Sequence, residues 1–369
     1  MDAQTNGHDP DVADLLELRA METMALNQRH LNPQTGNVIQ TLGFDRDWAH
    51  GSGAYLIDRR GDQYLDLLSG YGVFAIGRNH PYVKAQLQRV LDADTPNLPQ
   101  LGVSTLAGVL AERLLLRAPN SVDAVVLTSS GTESVEAAVK LARAATRKPR
   151  LLYCERGFHG LTLGALSVNG NEEFRERFGP LLPACEAVPF GDLAALERAL
   201  AGGDVAAFVV EPVQGKGVYI GDADYLPRAQ ELCHRAGALI IADEVQTGLG
   251  RTGRFLAVDH WQLEPDLITL SKALSGGYVP AGAVLASRKV FNATFDTMER
   301  SVVHGSTFGG GDLAAAAALG TLDVLEREDL IARASRLGDL LLQLTAPLVD
   351  RFEIVRAVRG LGLMWAIEL

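Results

Sequence analysis

The sequence predicts an α/β fold whose central sheet is mostly parallel, with helices on both faces. Three observations point there. From about residue 104 to residue 287, short apolar runs alternate with helical patterns, as βαβ connections require. Several of those runs end on a polar group, as at Asp243 and Lys272, and open α/β sheets bind ligands outside the carboxyl ends of their strands. The chain between Asp243 and Lys272 is long enough for one crossover between neighbouring parallel strands.

In chain order, residues 1–12 carry Asp, Gln, Asn, Gly and Pro with few apolar residues, a composition expected to be disordered. Residues 13–30 read as a helix. Residues 54–58 and 63–67 flank Arg59-Arg60-Gly61-Asp62 and read as a hairpin. The strand candidates are 124–128, 150–154, 205–210, 238–242, 266–271 and 282–286. A helix from Val135 to Ala145 follows the small-residue turn at 129–134. Residues 312–347 read as two helices, the first holding the alanine-rich stretch 314–318. Residues 352–358 and 363–369 read as strands. No internal repeat or low-complexity linker interrupts the chain.

At 369 residues the chain can bury a large core, expected to divide into two domains. An apolar share of 47% and a charged share of 21% are ordinary for a soluble globular enzyme. A net charge of −11 argues against nucleic acid or an anionic membrane as partner. Cys154, Cys185 and Cys233 are too widely spaced for a disulfide framework or a metal site. They fit a reducing cytoplasm. The first ten residues are polar and acidic, unlike a signal peptide. No apolar run reaches the ~18–20 residues of a membrane span.

Lys272 ends the run Leu267 to Ser271 and is followed by Ala273-Leu274-Ser275-Gly276-Gly277. A lysine so placed is a candidate Schiff-base lysine. Asp243 ends the run from Leu239. An acid and a lysine on adjacent strand ends are what a pyridoxal phosphate site needs. Ser129 to Ser134 opens a helix, whose N-terminal N–H groups and dipole suit a phosphate. Phe158-His159-Gly160 follows strand 150–154, and Glu211-Pro212-Val213-Gln214-Gly215 follows strand 205–210. Phe158 and Val245 could pack on opposite faces of a planar ring. Taken singly, each feature has a plainer reading: a solvated lysine, an N-cap aspartate, a serine cap, a core phenylalanine and a capping histidine.

Together these segments resemble a known family. Ser130-Gly131-Thr132-Glu133, Phe158-His159-Gly160, Glu211 to Gly215, Asp243 to Gly253, Ser271-Lys272-Ala273-Leu274, Thr307-Phe308-Gly309-Gly310 and Arg359-Gly360-Leu361-Gly362-Leu363 stand in the order and spacing of class III pyridoxal phosphate aminotransferases. The resemblance spans about residues 20 to 369. It is greatest to the putrescine, ornithine and acetylornithine branch; Gly70-Tyr71-Gly72-Val73-Phe74 and Ser134 to Ala142 are similar to putrescine aminotransferase in particular. It implies fold-type I: a seven-stranded, mostly parallel sheet flanked by helices, plus a smaller α+β domain built from both termini. Residues 1–70 would form the N-terminal segment of the small domain, 71–311 the large cofactor-binding domain, and 312–369 the C-terminal part of the small domain.

The resemblance also implies roles. Lys272 would carry the cofactor and then move the proton of the reacting carbon. Asp243 would pair with the pyridine nitrogen, and Gln246 would bond the ring oxygen. Ser130, Gly131 and Thr132 would hold the phosphate, Thr132 through backbone and hydroxyl. Phe158, His159 and Val245 would frame the ring, and Thr307 would reach the cofactor of the partner subunit in a homodimer. Tyr71 and Leu161 would line the substrate site. Glu211 and Arg359 would form a switchable pair in which the arginine, once freed, clamps the α-carboxylate of glutamate or 2-oxoglutarate. The activity implied is an ω-aminotransferase, exchanging an amino group between a primary amine or aldehyde, free or carrier-tethered, and the glutamate/2-oxoglutarate pair by a ping-pong mechanism.

Three departures qualify the resemblance. Leu161 stands where relatives usually carry Arg or Lys, so the amine is expected to have an uncharged or apolar far end. Gly309-Gly310-Gly311-Asp312 replaces the usual Gly-Gly-Asn-Pro, with Asp312 expected to cap helix 313–327. Relatives also continue past the segment matching residues 363–369, so the small domain is expected to be truncated. The alternatives are a same-fold aminomutase, epimerase or decarboxylase, or an inactive dimerisation module. A nucleotide-binding oxidoreductase lacks its Gly-x-Gly-x-x-Gly turn here.

Overall fold

The computed structural model describes residues 11–98 and 102–369, so most of the segment expected to be disordered lies outside the described residues. Within that segment Asp11 is an ordered helix cap, its carboxylate accepting from the Asp14 N–H, and Val12 is already helical.

The chain forms two compact units, the first ending at Leu67 and the second running from Leu68 to Leu369. In the first, the helix expected over 13–30 is broken into Val12–Leu18, a 3-10 turn at Ala20–Glu22, and Thr23–His30. The Thr23 hydroxyl donates to the Ala20 carbonyl at 2.7 Å, a local bond that competes with a continuous helix. A further helix, Pro33–Thr41, opens on an Asn32 cap and a first-turn proline. Three antiparallel strands follow: β1 (Trp48–Ser52), β2 (Tyr55–Asp58) and β3 (Gln63–Leu65). The expected hairpin is β2–β3. Its turn is tied by Asp58, whose carboxylate accepts from the N–H groups of Arg60 and Asp62 at 2.9 and 3.0 Å. Strand β1 had no alternating apolar pattern to announce it.

The second unit holds the seven-stranded sheet. Its strands are β4 (Ala124–Thr128), β5 (Arg150–Cys154), β6 (Cys185–Val188), β7 (Val205–Val210), β8 (Leu239–Asp243), β9 (Leu267–Leu270) and β10 (Gly282–Ala286), in the order β4-β10-β9-β8-β7-β5-β6. β9, β8, β7, β5 and β6 run parallel. β10 is antiparallel to both β9 and β4, so β4 again points the same way as the parallel set. β6 escaped the sequence reading because it is a short edge strand of mixed burial, whereas all six residues of β7 are buried. Such unbroken apolar runs are what a sheet covered on both faces needs.

One core side packs the β-strands against Val83, Leu110, Leu114, Leu322 and Leu325. The other packs them against Val135, Ala138, Leu141 and Ala142 of the helix Gly131–Thr146. Helix Asp312–Arg327 begins at Asp312 itself, not after it. Asp312 is not the cap: its N–H donates to Asn97 Oδ1 at 3.1 Å and its carboxylate accepts from the Ser104 hydroxyl at 2.6 Å. The second C-terminal helix is Leu330–Thr345. The strand expected at 352–358 forms later, as β11 (Ala357–Leu361), paired antiparallel with β12 (Met364–Glu368). Residues 312–369 lie within the same compact unit as the large sheet.

Candidate active site

Because β10 alone is reversed, β4, β5, β7, β8 and β9 all end on the same edge of the sheet. The residues after those ends are Ser129–Thr132, Gly157–Gly160, Glu211, Asp243 with the segment after it, and Ser271-Lys272. A single topological fact thus gathers most of the expected site.

Asp243 is the best-anchored group. It is buried, with Oδ2 2.6 Å from His159 Nδ1. Oδ1 accepts from the Thr269 hydroxyl at 2.9 Å and from the Val245 N–H at 3.1 Å. Burial alone would depress the His159 imidazole, but the hydrogen bond and charge of Asp243 outweigh it and hold its pKa above the ordinary value. His159 is therefore no helix cap; it is the buried partner of a carboxylate. Its Nε2 is buried without a hydrogen-bond partner. Thr269 carries no role in the sequence reading, yet it faces Asp243 directly in the β8–β9 register. A hydroxyl inside the apolar run Leu267-Ile268-Thr269-Leu270 was the available signal.

Lys272 follows β9 with a left-handed backbone, φ 43°, a strained conformation for a residue with a side chain. Burial pulls its ammonium below the ordinary lysine value, while the carboxylates of Asp243 and Glu211 pull the other way. Glu211 is buried too, and its carboxyl is raised by burial despite the nearby His159. Its two oxygens accept from the N–H groups of Phe158 at 3.0 Å and Gly215 at 2.9 Å.

The helix Gly131–Thr146 opens beside this cluster with Ser130 as N-cap. Its first N–H groups have no partner within the helix. Gly131 has to be glycine, because a Cβ there would stand 2.8 Å from Val245 Cγ1. Phe158 meets Phe174 edge-on at 5.3 Å between ring centroids. Gln246 donates to the carbonyl of Tyr71 at 2.8 Å. That carbonyl lies in a run, Ser69 to Gly72, whose four residues all have positive φ.

The expected pairing of Glu211 with Arg359 is not formed. Arg359 Nη1 binds Glu368 at 2.5 Å, and Nε donates to the carbonyls of Gly217 and Val218 at 2.8 and 3.1 Å. Its guanidinium also stacks over Tyr219, 4.3 Å from the ring centroid. The reason is positional: Arg359 and Glu368 sit on paired strands β11 and β12, while Glu211 is already held by two backbone donors. Tyr71 and Leu161 are exposed, at 69% and 57%. Thr307 is exposed; its neighbour Ser306 shares a hydrogen bond with Ser129 at 2.8 Å.

The model of the aminotransferase class-III family matches residues 41–369. The chain is a class III aminotransferase family member. It is 39% identical over 349 residues to the aminotransferase PigE of Serratia sp. (strain ATCC 39006), covering 94% of this chain and 41% of that protein. The chain therefore spans about two fifths of that relative's length. The ornithine aminotransferase of Toxoplasma gondii ME49 superposes with a TM-score of 0.87 at 34% identity, over 98% of this chain and 86% of that one. The PLP-bound amine transaminase of an uncultivated Pseudomonas species does so with a TM-score of 0.79 at 35% identity, over 85% and 78% of the two chains. The fold is that of these pyridoxal phosphate-dependent enzymes.

The residues present fit that cofactor. A buried, triply bonded carboxylate, a lysine Nζ free of hydrogen bonds and ion pairs among the described residues, and an open helix N-terminus stand on one sheet edge. Among the described residues no cluster could hold a metal ion, and no helix is long and apolar enough to cross a membrane.

Glu244, next to Asp243, is a buried carboxyl raised to about 7 by burial, against hydrogen bonds from Thr247 and from the N–H of Val258. Its ordinary value is 4.5. A raised carboxyl supports the fold fully below that ordinary value, and the support is lost as pH rises through about 7. Glu244→Gln is expected to flatten the loss of stability between pH 5 and 8, by at most about 1.4 kcal/mol per pH unit. Denaturant midpoints of both proteins across that range check it.

Proposed function

We propose that this chain is an ω-aminotransferase, moving a terminal amino group between a primary amine or aldehyde and the glutamate/2-oxoglutarate pair in two half-reactions. The observation that carries this reading is the buried Asp243–His159 pair standing beside the unengaged amine of Lys272. Pyridoxal phosphate, when bound, supplies an electron sink that makes the C–H beside an amine acidic. Lys272 Nζ holds the cofactor and then takes and returns the proton at the substrate's amine-bearing carbon; burial, by lowering its pKa, keeps part of it in the basic form this requires. Asp243 pairs with the pyridine nitrogen. His159, Thr269 and the Val245 N–H keep that carboxylate aimed. Ser130, Gly131 and Thr132 cradle the phosphate at the helix N-terminus. Phe158 and Val245 border the ring, and Gln246 bonds its oxygen.

Arg359 is the proposed clamp for the α-carboxylate of glutamate. Glu368 covers it here in the manner first expected of Glu211, and a substrate carboxylate would take its place bidentately. Glu211 lies beside Lys272 and Asp243, close to where the amine of a substrate would react. Tyr71 and Leu161 border the amine's path. The working unit is a homodimer in which Thr307 serves the partner's cofactor; the exposure of Thr307, Phe308 and Val302 supports a covered face there. The three free thiols support a reducing compartment such as the cytoplasm.

The test is the absorbance spectrum with pyridoxal phosphate, followed by L-glutamate. Loss of the lysine-bound cofactor band with release of 2-oxoglutarate is the expected result; a band indifferent to glutamate but answering to other amines sinks the Arg359 role. A second reading, an aminomutase, epimerase or decarboxylase, needs no 2-oxo acid, and omitting it separates the two. Leu161→Arg is expected to raise kcat/KM for ω-amino acids over apolar amines by about tenfold, the worth of one exposed-to-half-buried charge pair. Paired steady-state assays of the two substrate types measure it.

A further inference from the structure

One carboxylate oxygen of the phosphate-site helix makes three bonds that the reading above leaves unused. Glu136 Oε1 accepts from the Thr162 hydroxyl at 2.6 Å, the Gly164 N–H at 2.9 Å and the Ala165 N–H at 3.1 Å. It thereby caps the helix Leu163–Ser167, which has no cap from its own N-cap residue Thr162. Thr162 also sits 2.7 Å from the Thr132 hydroxyl, and its N–H donates to Thr132 Oγ1 at 3.3 Å. Thr132 and Glu136 are one turn apart on one helix face. Both are matched by glycines opposite: a Cβ at Gly160 would overlap Thr132, and one at Gly164 would overlap Glu136. The segment 160–165, with Leu161 in its middle, is thus docked at both ends onto the helix turn that opens the phosphate site.

The direction of the protons follows. Glu136 Oε1 only accepts, so Thr162 donates to it. Thr162 then has only a lone pair to offer Thr132, so Thr132 donates to Thr162. The Thr132 hydroxyl thus bonds the loop through both its proton and a lone pair.

We propose that Thr132, Thr162 and Glu136 form a relay that positions the Leu161 segment for substrate selection, and that the phosphate is held by the backbone N–H groups of Gly131 and Thr132 without the Thr132 hydroxyl. The proposal rests on the cofactor reading above and reassigns one residue within it. Glu136 and Thr162 are positioning residues, and the Thr132 side chain serves specificity.

The experiment compares Thr132→Val, Glu136→Ala and Glu136→Gln with the parent protein. Its readouts are the Kd for pyridoxal phosphate, amide hydrogen exchange of segment 162–166, and KM against kcat for the L-glutamate half-reaction. Thr132→Val is expected to leave the Kd within about twofold, while exchange in 162–166 quickens about tenfold, the worth of one lost hydrogen bond and the order it imposes. Glu136→Ala quickens exchange likewise and raises KM with little change in kcat. Glu136→Gln, which keeps an acceptor oxygen in place, restores both. A Kd raised tenfold or more by Thr132→Val overturns the proposal, as does unchanged exchange in either truncating variant. If the parent protein binds no pyridoxal phosphate, the cofactor reading itself fails, and the exchange comparison still decides the relay.

Discussion

Lys272→Ala is expected to lower turnover by at least about 10⁴-fold while leaving the fold intact. Two losses combine. On the proposed roles, the amine that would hold the cofactor is gone, and so is the base that would move the proton at the reacting carbon, a contribution worth roughly 10²–10⁴-fold by itself. Folding should not suffer. Lys272 makes no hydrogen bond or ion pair among the described residues, its burial disfavours its own charge, and its backbone is left-handed. Removing a half-buried ammonium that makes no hydrogen bond or ion pair among the described residues relieves part of a desolvation cost. The measurement is single-turnover reaction with L-glutamate beside thermal unfolding. A variant that retains more than a hundredth of the parent rate removes Lys272 from the chemistry. Exogenous methylamine is expected to recover part of the lost proton transfer in the variant.

Asp243→Ala is expected to damage stability and chemistry together. The His159 imidazole, the Thr269 hydroxyl and the Val245 N–H all converge on this carboxylate. Its removal leaves a buried histidine whose other nitrogen is already without a partner. Breaking a buried pair from one side costs about 3–5 kcal/mol. With the carboxylate gone, burial is opposed only by the charge of Glu211, so the His159 pKa should fall. The variant therefore stays foldable by shedding the histidine's proton, and it should be least stable at low pH. Denaturant unfolding between pH 5 and 8 is the check, with the L-glutamate half-reaction expected to slow by about 10²-fold or more. Asp243→Asn, which can still accept from Val245 and Thr269, should recover much of the stability and little of the rate.

The parts of this molecule that were legible in the sequence are those in which local pattern and global placement agree. Strands β4, β5, β7, β8, β9 and β10 are apolar runs bounded by turns, and each lies within a residue of its expected span. Asp243 and Lys272 were readable because each ends such a run. The edge strand β6 was hidden because it is short and its two middle residues are exposed. The break in the first helix at Arg19 has no signature in the apolar periodicity. The Arg359 partner was misread for a different reason. Glu211 stands in the right motif, but the distance between two side chains is decided by tertiary placement, and Glu368 shares a hairpin with the arginine. The Asp312 cap failed similarly, because Asn97, distant in sequence, supplies the accepting oxygen.

The reversal of β10 has a bearing on how such a protein can diversify. Every group gathered at the sheet edge sits on a different strand end, and each continues into its own loop or helix. Strand β8 is buried from Ile240 to Asp243 and β9, which precedes Lys272, is buried throughout, so both tolerate little change. In the loop after β5, Leu161 is exposed while His159 is buried against Asp243. A change at Leu161 can therefore leave the Asp243 carboxylate alone, whereas a change at His159, two residues earlier, cannot. The frame behaves as a socket, and the exposed Leu161 side chain as its interchangeable fitting in that loop.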